Sequence, residues 1–116
     1  KSLAVSQAVR VRMLFDQGTP VPLRDYLAQD QVETAFERGW STLTNGELLA
    51  RAEQEGFEIF ITTDQNLSYQ QNVNALRVAI VVLTSTSWPR IRTAAAAINQ
   101  AIDSAVLGSF REVDIP

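Results

Sequence analysis

The chain has neither cysteine nor histidine in its 116 residues. The first absence excludes disulfides, thiolate metal sites and thiol nucleophiles. The second removes the usual general base, and with it Ser-His-Asp triads and imidazole zinc ligation. Any chemistry must therefore use carboxylates, amides, hydroxyls and arginine. Lysine is scarce as well. Lys1 is the only one, so nine of the ten basic residues are arginine, a side chain suited to planar, bidentate contact with phosphate or carboxylate. No apolar run is long enough to span a bilayer, and the N-terminus lacks the apolar region of a signal peptide. The expected setting is cytoplasmic, with no membrane partner. A net charge of −3 argues against strong unaided binding of nucleic acid, though local basic patches remain compatible with it. What the chain does have is 46% hydrophobic residues, enough for one core in a chain of one-domain length.

Residues 1–9 read as a flexible tail or vector remnant, and the domain as residues 10–116. Val11, Met13 and Phe15 alternate with Arg10, Arg12 and Leu14, the period of a strand. Asp16-Gln17-Gly18 ends it. Thr19 is placed to cap a helix with Pro20 in its first turn, and Leu23, Tyr26 and Leu27 give that helix an apolar face. Residues 32–36 form a second, shorter strand. Thr44-Asn45-Gly46-Glu47 has capping-box spacing and opens a helix that runs to Glu55, with Leu48, Leu49 and Ala52 inward and Gly56 as the stop. Residues 57–63 form an apolar strand, residues 67–74 hold a short helix, and the continuous apolar run 78–83 suits a strand buried on both faces. Pro89 opens a long alanine-rich helix to about Val106. Gly108 ends it, and residues 110–115 make the last strand. Strands alternating with helices predict a parallel sheet covered on both faces. In such sheets the functional crevice lies beyond the carboxyl ends of the strands. That rule selects Asp16, Arg38, Trp40, Asp64 and the segment from Thr84 to Ser87.

Two strands end in an aspartate followed by an amide-bearing turn, Asp16-Gln17 and Asp64-Gln65-Asn66. Converging carboxylates are what Mg²⁺ or Mn²⁺ needs. Three segments also resemble a known family. Met13-Leu14-Phe15-Asp16-Gln17-Gly18-Thr19-Pro20 is similar to the opening strand of PIN-like proteins of the DUF5615 type, relatives of the Mut7-C domain, which read as a hydrophobic run and then Asp-Glu-Asn-Leu-Pro. Leu43-Thr44-Asn45-Gly46-Glu47-Leu48-Leu49 resembles their Leu-Ser-Asp-Glu-Glu-Ile-Leu. Phe60-Ile61-Thr62-Thr63-Asp64-Gln65-Asn66 resembles their Val-Thr-x-Asp-x-Asp-Phe. The resemblance spans roughly residues 10 to 88. It implies a three-layer α/β/α PIN-like fold with a central, mainly parallel sheet. It also implies an Mg²⁺- or Mn²⁺-dependent ribonuclease, often the toxin half of a toxin–antitoxin pair, with an antitoxin-like partner and a homodimer as further expectations.

Carried over residue by residue, the resemblance keeps Asp16 and Asp64 but meets amides at three usually acidic places: Gln17, Asn45 and Asn66. Amide oxygens can ligate but bring no charge, and Mg²⁺ gives up its water reluctantly. Glu47 does not replace the missing acid. At 100° per residue it points away from the face shared by Asn45, Leu48, Leu49 and Ala52, and its expected role is to close the capping box. The nuclease reading thus assigns Asp16 and Asp64 to the metal, with Asn45 and Asn66 as neutral ligands or water positioners. Arg38, Arg90, Arg92 and Trp88 are assigned to substrate. Trp88 and Trp40 could stack on bases, but packing a loop onto the core is the commoner role. The alternative is a catalytically degenerate PIN-like domain that binds RNA, a nucleotide or a protein without cleavage. A third reading is a plain α/β scaffold whose strand-end polar residues are turn formers.

Overall fold

In a computed structural model of the protein, residues 11–28, 31–67 and 77–116 are described. Among them are five strands: β1 (Arg12–Phe15), β2 (Gln31–Thr34), β3 (Ile59–Thr62), β4 (Ala79–Leu83) and β5 (Phe110–Val113). They form one sheet in the order β2-β1-β3-β4-β5, with every pairing parallel. A 3-10 helix (Val21–Tyr26) links β1 to β2, and α1 (Asn45–Gln54) links β2 to β3. Helices α2 (Trp88–Thr93) and α3 (Ala95–Asp103) link β4 to β5. The expected tail over residues 1–9 and most of the helix expected within 67–74 lie outside the described residues.

Strand alternation divides the core cleanly. Met13, Phe15, Ile59, Ile61, Ala79, Val81 and Leu83 face one side, where Leu23 and Leu27 and then Ile91, Ile98 and Ile102 of α2 and α3 cover them. Leu14, Phe60, Ile80 and Val82 face the other, under Leu48, Leu49 and Ala52 of α1 with Trp40 and Phe57. This is the three-layer α/β/α arrangement, and the inner strands β3 and β4 are buried whichever way their side chains point. Phe15, Phe60, Leu48 and Ile61 are fully buried, and truncating such a residue to alanine costs about 2–5 kcal/mol. The links from β1 to β2 and from β4 to β5 lie on the same face yet step in opposite directions along the sheet. They are therefore of opposite hand, a departure from the single hand that parallel crossovers usually share.

The local signals of α1 act as its sequence requires. The Thr44 hydroxyl accepts from the Glu47 N–H (3.2 Å), and the Glu47 carboxylate accepts from the Thr44 N–H (2.8 Å). Such a cap contributes about 1 kcal/mol, and Gly56 ends the helix at φ +83°. Two expectations are corrected. Residues 89–106 are not one helix: the chain breaks at Ala94 (φ −102°, ψ 13°), and the second piece ends at Asp103. Ala94 is buried against the sheet, and an all-alanine run carries no sequence mark for such a break. Thr19 is not a helix cap. Pro20 holds that position, without a side-chain cap bond, and the Thr19 hydroxyl is turned inward.

Candidate functional site

Strand β1 lies between β2, which follows it, and β3, so the winding of the sheet reverses between β1 and β3. A crevice beyond the carboxyl ends of strands opens at such a reversal. Asp16 follows β1 there and Asp64 follows β3. The first residue of α1, Asn45, reaches the same place because α1 starts at that end of the sheet.

Asp16 is only 4% exposed. Its Oδ1 accepts from the Thr19 hydroxyl at 2.6 Å and its Oδ2 from the Thr62 hydroxyl at 2.5 Å. Its own N–H is held by the Ile61 carbonyl at 3.1 Å. Burial raises its pKa above the ordinary aspartate value, opposed by the bonds from Thr19 and Thr62 and by the neighbouring Asn45 amide. Asp64 is half-buried. Its Oδ2 accepts from Asn45 Nδ2 at 3.1 Å and its Oδ1 from the Asn66 N–H at 3.0 Å, while its own N–H donates to the Thr62 hydroxyl at 2.9 Å. The chain therefore brings Asp16, Thr19, Asn45, Thr62 and Asp64 into one hydrogen-bonded group. Gly18 permits this close approach: a Cβ there would lie 2.6 Å from the Thr63 hydroxyl.

The polar rim is built from amides. Gln17 Nε2 donates to the Ser41 carbonyl at 2.9 Å, and Gln65 Nε2 to the Thr84 carbonyl at 3.3 Å. Asn66 takes part through its backbone, with its side chain exposed.

Of the residues expected at substrate, Arg38 is turned away from this group, while Trp88, Arg90 and Arg92 lie on α2, which follows the carboxyl end of β4. Arg38 is corrected most plainly. Its guanidinium binds Glu33 (3.2 Å) and Glu55 (3.0 Å) and lies 4.7 Å over the Trp40 ring. Glu55 is at the far end of α1, about 15 Å along the helix from Asn45 at 1.5 Å per residue, so Arg38 serves the opposite end of the sheet. Trp40 is buried edge-on to Phe57, as core packing requires. Trp88 packs edge-on to Tyr26 at 5.3 Å, against the same core as α2. Arg90 donates through Nε to the Pro116 carbonyl at 2.7 Å, and Arg92 is exposed on α2.

Thr19 and Thr62 are members of the group that sequence reasoning misses. Thr19-Pro20 imitates a helix start, which hides the first. The second has a usable signal: a threonine closing an apolar strand two residues before an aspartate must find buried partners.

Among the described residues no three acidic side chains gather as a metal cluster, and the ion pairs, Arg12–Glu33, Arg24–Glu37, Arg38–Glu33 and Arg38–Glu55, all leave Asp16 and Asp64 out. A buried carboxylate held only by neutral groups is costly to ionise unless a cation joins it. Each Asp16 oxygen accepts one protein bond and keeps a lone pair, and hydroxyls bonded to a ligating carboxylate commonly orient it. The donor set, two carboxylates with amide and hydroxyl oxygens, is that of a hard divalent cation. Comparisons with family models, curated proteins and solved structures give no match.

Proposed function

We propose that this chain is a PIN-like domain in which Asp16 and Asp64 hold Mg²⁺ or Mn²⁺ for hydrolysis of an RNA phosphodiester. The observation that carries the reading is the Asp16 carboxylate, buried at the reversal point of the sheet with only neutral partners among the described residues. Among the described residues no arginine pairs with it, as arginines pair with Glu33, Glu37 and Glu55. When bound, the ion supplies Lewis acidity at a phosphodiester oxygen and makes water a competent nucleophile near neutral pH. The chain's part is to fix the ligands. Thr19 and Thr62 orient Asp16, Asn45 orients Asp64, and burial keeps bulk water from Asp16.

A single-stranded RNA oligonucleotide incubated with Mn²⁺ or Mg²⁺ tests this. The wild type cleaves it. Asp16→Asn and Asp64→Asn fold but lose about 100-fold or more of the rate, as when a group that stabilises developing charge is removed.

A second reading is a degenerate PIN-like domain that binds RNA, a nucleotide or a protein partner without cleaving. Amides at positions 17, 45 and 66 favour it, as do the bonds already made to both Asp64 oxygens. RNA retained on the wild type but left uncut in either metal would support it and remove the nuclease.

A further inference from the structure

Thr62 is the last residue of β3 and is fully buried. Its hydroxyl donates to Asp16 Oδ2 at 2.5 Å and accepts from the Asp64 N–H at 2.9 Å. One oxygen thus ties the carboxylate of the first aspartate to the backbone of the second. Thr19 is different in kind: its hydroxyl bonds Asp16 Oδ1 and reaches the Ile61 carbonyl at 3.1 Å, and neither bond involves Asp64. Resting on the cation site proposed above, we infer that Thr62 is a positioning residue that makes Asp16 and Asp64 act as one ligand set. A hydroxyl with its proton committed to Asp16 and its lone pair to Asp64 N–H fixes the carboxylate plane of Asp16 relative to the turn that carries Asp64. Valine has the same shape but neither function, and would release that plane. Serine keeps both functions and loses only a methyl group.

The test is Mn²⁺ affinity, read by the loss of the free-ion electron paramagnetic resonance signal, with thermal stability measured alongside. Thr62→Val weakens Mn²⁺ binding by about tenfold or more, the usual effect of losing a group that orients a ligand, while Thr62→Ser binds like the wild type. A Thr62→Val protein that is less stable but binds Mn²⁺ as tightly as wild type overturns the inference and leaves the cation site standing. A wild type that binds no Mn²⁺ overturns the cation site, and the inference with it. If Thr62→Val does not fold, Thr62→Ala against Thr62→Ser decides: equal affinity in the two overturns the coupling, and weakening in alanine alone supports it.

Discussion

Toward the amino ends of the strands, Arg12 and Arg38 sit among Glu33 and Glu55, with Phe57 and Trp40 beneath their guanidinium groups. At the carboxyl ends of the same strands, Asp16 and Asp64 sit among threonines and amides. Both ends place charge against the sheet. Among the described residues, one end answers it with opposite charge and the other with neutral hydrogen bonds alone. The first arrangement pairs its charges within the chain. The second satisfies Asp16 and Asp64 with neutral groups, the feature on which the proposed cation site rests.

Removing Arg38 gives the larger effect on stability. Arg38→Ala loses two partly exposed ion pairs and cation–π contacts with Trp40 and Phe57, together about 1–2 kcal/mol, measurable by urea denaturation, with Mn²⁺ binding unchanged. An Arg38→Ala protein of normal stability that no longer bound Mn²⁺ or RNA would break the comparison, because that guanidinium would then serve the carboxyl end.

The smaller effect is one of pH, measured with metal chelated. Burial raises the folded-state pKa of Asp16 above its unfolded value near 3.8. Its protonated form is therefore favoured by folding. That contribution is fully present below the unfolded pKa and is lost as pH rises through the folded one. In Asp16→Asn it is absent, and Thr19 can turn its proton to the Ile61 carbonyl. Stability of the wild type relative to Asp16→Asn falls as pH rises from about 4 through the raised pKa. Parallel stability profiles would show that Asp16 ionises as freely as an exposed aspartate.

Much of the scaffold is legible in the order of residues alone. Period-two alternation in residues 11–15 and the apolar run in residues 57–63 mark two strands, and Thr44 with Glu47 marks the start of α1. The rule that strand ends carry the site selects Asp16 and Asp64. Three features resist such reading. The break falls at buried Ala94, inside a run of identical residues that carries no local mark of it. The role of Thr19 is masked by a proline that makes it look like a cap. The destination of Arg38 depends on Glu55, 17 residues on, and on an aromatic stack that no local pattern announces. Charge partners are long-range facts, so a sequence distinguishes a paired arginine from an unpaired one poorly.

Isothermal titration of Mn²⁺ into the wild type, Asp16→Asn and Asp64→Asn at neutral pH tests the central claim most directly. The expected result is one ion per chain in the wild type and no binding in either variant. No binding by the wild type, or the same binding by all three proteins, would contradict it.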